Sequence, residues 1–474
     1  MVTFVTAFLD LGEDRSKDKS VDTCFLHFSK LVESGISIVA FVSSVYLERI
    51  TPSPNLHVLP LELHELETYK ESVREPCALP ESRTDYHDTL HFMILMNAKI
   101  EFVHRAIEHN PFQSSHFAWI DFSIFHVFRN PHGSRQFLRV LSESALSSPC
   151  LTFPGCWEKD QGADSLFKGI NWRFCGGFFL GDIHSLRDFY TRYRSFFPQC
   201  LSQTKTMVWE VNMWHAMELD GWSCEWYRAN HDDSILRIPR HFFTTVASMT
   251  TIPSRIHTCR HSIDSLLPQV DHIYLSVARF YNRFQQSATI PAFFSEEPYA
   301  SNVTIVLCDD KGPATKYLGA LDILPKSSWI FFCDDDQEYA PHLVQSMRAQ
   351  IHELAVYQNR YCAIQETTSG GLIHGYVGNL GHASLFQTLP SFPLPECAFH
   401  VDDQWLSIFC FLQGIPIYPT GIERYSDIFQ RLEDGHECIG IDSLASLGTR
   451  DQRVSQLADF FQVQFVSNGM ISKK

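Results

Sequence analysis

The chain has 474 residues, too many for one hydrophobic core, so two or three domains are expected. Hydrophobic residues make up 45% and aromatic residues 13%, which excludes a disordered chain. A net charge of −16 excludes nucleic acid as the main partner, because phosphate backbones recruit lysine- and arginine-rich surfaces.

The opening MVTFVTAFLDLG lacks a basic n-region and a long h-region, so it reads as a first strand, Thr3 to Leu9, ending in Asp10. Helical patterns follow over 20–34 and 85–109; the second contains Lys99 and sets His87 and His91 one turn apart on a shared face. Residues 117–123, FAWIDFS, form a strand that ends in Asp121, with Ser123 two places on. The run FCGGFFLGD over 174–182 reads as a strand whose glycines admit another backbone closely. Glu210 opens an aromatic helix in MVWEVNMWHAM, and His231 stands beside Asp232 and Asp233.

The order then repeats. A boundary near Pro239–Arg240 divides the chain into domains 1–240 and 241–474, with no Gly/Ser- or Pro-rich linker. Thr244 to Thr251 is a new first strand, followed by Arg255; helices are expected over 256–268 and 340–356. Val303 to Cys308 is a strand ending in Asp309, Asp310 and Lys311, with Lys316 at a helix start. WIFFCDDDQEY over 329–339 delivers Asp334, Asp335 and Asp336 behind five apolar residues. A glycine-rich loop over 369–382 carries His374 and His382, Asp402 and Asp403 open an aromatic helix, and His436 follows late. Strands alternating with helices predict an α/β fold of two Rossmann-like domains in tandem.

The chemistry concentrates at the strand ends, where open α/β sheets bind ligands. Three adjacent carboxylates repel unless a cation sits among them. A hard divalent ion, Mg²⁺ or Mn²⁺, takes carboxylate oxygen together with substrate phosphate. The D-x-D spacing of Asp334 and Asp336 suits it, with His436 completing the shell and Asp335 turned toward sugar or nucleoside. Arg255, Lys316, Asp309 and Asp310 are candidate donor contacts. Of Asp402 and Asp403, one would cap the helix and the other act as general base, with Asp403 favoured. In the first half Glu210 is the matching base, and Asp121 and His231 the metal candidates. Two rivals fail on spacing. A haloacid-dehalogenase-type phosphatase would want Thr where Glu338 stands, and GPATK at 312–316 lacks the spacing and hydroxyl of a P-loop.

Several first-half pieces recur in order: VTAFLDLG, Lys99 within a long helix, NPF before FAWIDFS, CGGFFLGD, WEVNMW and WYRANHDD. Together they resemble the bacterial WlaTC/HtrL family, assigned as glycosyltransferases of lipopolysaccharide or surface-glycan loci. The resemblance implies a GT-A nucleotide-diphosphosugar fold with Asp121, Glu210 and His231 as site positions, and Asp10 and Lys99 toward the donor. TTIPSR, DDKGPATKY, the DDD motif and VDDQWLSIF resemble a second GT-A glycosyltransferase from about Thr244 to His436. The expectation is a tandem glycosyltransferase that moves a sugar from a UDP- or GDP-type donor to a glycan or glycoconjugate hydroxyl, inverting by direct displacement. The alternatives are a glycan-binding pseudoenzyme in one half, or a sugar nucleotidyltransferase. The nucleotidyltransferase would need a glycine-rich basic loop after the first strand. Fourteen cysteines without C-x-x-C pairs, and no apolar run of the roughly 18 residues that span a membrane, predict a soluble cytoplasmic protein.

Overall fold

A computed structural model describes the chain except for residues 13–19, 75, 360–371, 431–441, 443, 445–447, 466–470 and 474. It divides into two compact units, Met1–Phe242 and Phe243–Lys474. Among the described residues no helix is long and apolar enough to cross a membrane.

The first unit is built on seven strands: β1 (Val2–Phe8), β2 (Ile38–Val42), β3 (Leu56–Pro60), β4 (His116–Ile120), β5 (Leu151–Gly155), β6 (Phe178–Asp182) and β7 (Glu225–Arg228). Their spatial order is β3-β2-β1-β4-β6-β5-β7. Every residue of β1, β2 and β4 is buried, as expected for strands covered on both faces. β6 runs antiparallel to both β4 and β5, while β5 and β7 are parallel. The carboxyl ends of β4, β5 and β7 and the amino end of β6 therefore emerge along one edge.

The second unit repeats this plan with β8 (Thr245–Thr250), β9 (His272–Ala278), β10 (Val303–Cys308), β11 (Trp329–Phe332), β12 (Val356–Gln358), β13 (Asn379–His382) and β14 (Ile417–Pro419). The order is β10-β9-β8-β11-β13-β12-β14, with β13 the antiparallel member. The chain thus holds two Rossmann-like domains in tandem with the same strand order and directions. Register aligns them residue by residue. Gly181 pairs with Phe117 and Gly381 with Ile330, so Asp121 and Asp334 occupy the same position beyond their strands.

Both helices that open with acid are anchored by aromatic residues behind it. In the first unit the Glu210–Leu219 helix places Trp214 against Phe153, with ring centroids 5.2 Å apart. Phe153 also meets Phe174, Phe179, Phe189 and Trp222. In the second, Trp405 of the Asp402–Gln413 helix is fully buried and donates from Nε1 to Pro393 O at 2.8 Å. The buried rings hold each helix against its sheet, leaving the acidic first turn at the strand edge.

Several expected elements are shorter. The pattern over 85–109 resolves into helices Leu90–Asn97 and Lys99–His109, because Thr89 caps the first by accepting from Phe92 N. His87 lies in the turn before this cap, so it shares no helical face with His91, whose Nδ1 meets Leu11 O at 3.0 Å. Of 340–356 only Leu343–Ala349 is α-helix, and Val356 already belongs to β12. In FCGGFFLGD the strand begins at Phe178, so Gly176 and Gly177 lie ahead of it, while Gly181 lies within it at a close backbone approach, where a Cβ would sit 2.8 Å from Cys150 O. His382 is a buried β13 residue and not part of a loop; its neutral ring fits between Ser327 O and the Ser384 hydroxyl.

Candidate functional site

The second unit assembles its acids around one lysine. Lys316 sits on the short Thr315–Leu318 helix, before β11, and its carbonyl accepts from the Ser248 hydroxyl at 2.7 Å. Its Nζ lies 2.7 Å from Asp334 Oδ1, 3.0 Å from Asp402 Oδ2 and 4.0 Å from Asp403 Oδ1. Burial alone would drive a proton off such an amine. Asp334 and Asp402 outweigh that burial and hold the lysine well above its ordinary range. Arg255 makes the second cationic contact, 3.1 Å from Asp335 Oδ1 and 2.5 Å from Asp336 Oδ2. The turn is closed by the Tyr339 hydroxyl, which accepts from Asp334 N at 2.9 Å.

Five carboxylates thus face two cations, and the imbalance raises several of the acids. Burial, resisted by Lys316 and reinforced by Asp403, pushes Asp402 up to about 6. Burial, resisted by Arg255, pushes Asp335 up to about 7. Asp403 and Asp336 are raised for the same first reason. Asp334 stands apart with its side chain 31% exposed, and its Oδ2 takes no hydrogen bond among the described residues. Asp336 Oδ1 accepts a long 3.4 Å contact from Gln337 Nε2. Each member of the D-x-D pair therefore keeps an oxygen available, which suits a hard cation.

The first unit has the same frame with fewer charges. Lys99, the first residue of its helix, places Nζ 2.8 Å from Glu210 Oε1 and 3.1 Å from Asp121 Oδ1, and donates to Gly176 O at 2.8 Å. Burial opposes its charge, but Asp121 and Glu210 raise its pKa. Trp119 Nε1 donates to Asp121 Oδ1 at 2.9 Å, leaving Oδ2 toward a cleft of about 280 Å³. Lys99, Asp121, Glu210 and His231 all line that cleft. A glycine stands where the loop passes each ion pair, and a side chain there would displace the pair. A Cβ on Gly176 would sit 2.0 Å from Glu210 Oε1, and one on Gly375 2.4 Å from Lys316 Nζ.

Other expected positions fall differently. Asp335 does not face outward: its side chain is 3% exposed and turned to Arg255. Neither Asp402 nor Asp403 caps its helix, since Val401 is the N-cap and both acids belong to the first turn. Asp310 fixes a turn by accepting from Asn282 N at 2.8 Å and Gly312 N at 2.9 Å, and Asp309 is exposed beside it. Asp10 is also exposed, accepts from Gly12 N at 3.1 Å and does not line the cleft. His436 lies outside the described residues. A larger open concavity beyond Tyr339, lined by Pro341, Tyr425, Ser426, Phe429 and Gln430, contains none of the acids.

Sequence reasoning names Lys99 and Lys316 separately and misses that they are one structural position. Each begins or enters the helix between the third strand and the acid-ended strand of its unit. The supporting Trp119, Tyr339, Gly176 and Gly375 are missed too, because their roles depend on register and close approach.

Residues 57–207 match the family model described as "Bacterial protein of unknown function (HtrL_YibB)". No curated protein matches the chain in sequence. Among solved structures, 4-diphosphocytidyl-2C-methyl-D-erythritol synthase from Anaerococcus prevotii is similar at 13% identity, over 43% of this chain and 98% of that one, with a TM-score of 0.28. The family match lies wholly within the first unit and covers less than half of the chain.

Proposed function

We propose that the protein is a divalent-metal-dependent glycosyltransferase of GT-A type whose second unit performs the transfer. The donor is a nucleotide-diphosphate sugar, and the acceptor a hydroxyl of a glycan or glycoconjugate. The observation that carries this reading is the surplus of carboxylate at the carboxyl edge of β11, with Asp334 partly exposed and one of its oxygens unbonded among the described residues. Asp334 and Asp336 would hold Mg²⁺ or Mn²⁺, which when bound offsets the charge of the diphosphate leaving group.

The chain's own residues divide the remaining work. Asp402 is tied to Lys316 at 3.0 Å, whereas Asp403 stands 4.0 Å away with a more exposed side chain, 17% against 10%. Asp403 is therefore the better-placed base. The acceptor oxygen bonds to the anomeric carbon as the carbon–phosphate-oxygen bond breaks, the hydroxyl proton passes to Asp403, and the nucleoside diphosphate leaves. Direct displacement inverts the anomeric carbon. Arg255 keeps Asp335 and Asp336 in place.

A second reading applies to the first unit alone. Ser123 stands where Asp336 does, and Val211 where Asp403 does, counting from the strand end and from the helix N-cap. With neither the second metal carboxylate nor the second acid, that unit would bind a sugar or nucleotide without turning it over.

The test uses the full chain and a panel of nucleotide sugars with Mn²⁺. Asp334→Ala with Asp336→Ala should lower metal-dependent donor hydrolysis by about 10³-fold or more. Unchanged turnover would remove the D-x-D assignment.

A further inference from the structure

The first unit carries a second cluster of ligand-type side chains that the transferase reading leaves unused. Cys156 follows β5 directly, Cys175 precedes the two glycines ahead of β6, and His231 lies just beyond β7. The sheet order β6-β5-β7 makes these three strands neighbours, and the antiparallel course of β6 brings all three residues to the same edge. One ligand atom from each lies within 4.8 Å of the others.

The positions are fixed by backbone. Cys156 N donates to Trp172 O at 3.0 Å, Cys175 N to Pro154 O at 2.8 Å, and Ala229 N to Gly155 O at 2.8 Å. The His231 ring meets Trp172 edge-on at 4.2 Å between centroids. We propose that Cys156, Cys175 and His231 form a binding site for a thiophilic divalent cation, of which zinc is the type.

The sulfur spacing fits a shared ion. Cys156 Sγ and Cys175 Sγ are 3.6 Å apart. Two thiolates on one tetrahedral zinc, with Zn–S of about 2.3 Å, stand about 3.8 Å apart. A disulfide needs about 2.05 Å between the sulfurs. His231 is the exposed member of the three. Among the described residues no fourth His, Cys, Asp or Glu joins the cluster. Three protein ligands with an open position is the arrangement of zinc sites that bind water or a substrate atom. Cys175 and His231 also line the cleft that holds Asp121 and Glu210, so the open position faces whatever that cleft binds.

This site differs in kind from the D-x-D pair of the second unit. Soft sulfur selects zinc-like ions, whereas carboxylates select Mg²⁺ or Mn²⁺. The proposal does not rest on the transferase reading, because its readout is metal content and spectrum.

The full chain, purified under reducing conditions and stripped with a chelator, would be titrated with Zn²⁺ against a chromophoric competitor, and separately with Co²⁺. The expected result is one tightly held zinc per chain, and a cobalt form whose spectrum shows thiolate-to-metal charge transfer and tetrahedral d–d bands. Cys156→Ser and His231→Ala, both at sites that are not fully buried, should each weaken zinc binding by about 100-fold or more. Circular dichroism of each variant checks that it is folded. Zinc binding that survives both substitutions in folded protein overturns the proposal, as does a cobalt spectrum without thiolate character. So does the absence of stoichiometric zinc while both thiols titrate as free.

Discussion

The two units share a sheet order, a ladder register and a buried lysine clamped between a strand-end aspartate and a helix-start acid. They differ in how much negative charge surrounds that lysine. Lys99 meets two carboxylates, an excess of one acid over its single positive charge. Lys316 and Arg255 meet five. The common part is therefore structural: a buried ammonium that ties the loop, strand and helix of each unit together. The added acids of the second unit, Asp335, Asp336 and Asp403, replace Phe122, Ser123 and Val211 of the first. Charge that folding does not need is the part to associate with chemistry, since buried like charges are costly to keep.

The sharpest way to break this comparison is at its unshared acid. Asp403→Asn should lower kcat by about 10²–10⁴-fold, the range for loss of a general base, with little change in thermal stability. The counterpart Val211→Asn buries an amide in the core and should cost stability, by about 1–3 kcal/mol, while leaving kcat alone. Steady-state donor turnover and thermal melts on the same preparations would separate the two. If both substitutions depress kcat in folded protein, catalysis does not belong to the second unit alone.

The shared lysine gives the next effect. Lys99→Met and Lys316→Met each strand buried carboxylates, which costs about 3–5 kcal/mol for a broken buried pair. The Lys316 variant should suffer more, having more acids to leave unpaired. Adding Glu210→Gln to Lys99→Met should restore part of the loss by removing an uncompensated charge. Urea denaturation monitored by hydrogen exchange, which reports each unit's peptides separately, would read both. An additive double variant would show that Lys99 and Glu210 are not energetically coupled.

Much of this frame is legible in the chain. Apolar runs ending in acid locate β4 and β11, because strands buried on both faces leave little other pattern. Aromatic residues at helical spacing behind Glu210 and Asp402 locate the two helices. Even the repeat leaves a trace, LGDIHSL at 180–186 and LGHASLF at 380–386, where the antiparallel strand turns into its following helix. The partnerships are not legible. Nothing local says that Lys99 reaches Glu210 across 111 positions, or that Asp335 turns inward to Arg255. His87 and His91 show the opposite failure: a valid helical spacing is undone by a cap at Thr89 that starts the helix too late.

The smallest differences lie at the ladder position shared by Asp182 and His382, each at the end of its antiparallel strand and each the N-cap of the next helical segment. His382 is fully buried, and desolvation lowers its pKa to about 4 from an ordinary 6.5. The unfolded chain then binds a proton that the folded one refuses. Stability from this group is intact above pH 6.5 and is lost as pH falls toward 4, by about 2 kcal/mol at pH 5. His382→Asn should remove that part of the acid sensitivity between pH 7 and pH 5, measured by urea midpoints. Asp182 behaves in the other window. Burial works against its charge, but bonds from Cys150 N, Ser185 Oγ and Ser185 N hold its carboxyl below the ordinary 3.8. Its stabilisation is therefore present above pH 3.8 and disappears only below it. Asp182→Ala should cost about 1–2 kcal/mol at neutral pH, the range for an N-cap, with the difference from wild type closing below pH 3.8. A cost that persists undiminished into strong acid would mean that Asp182 contributes packing and not its charge-assisted cap.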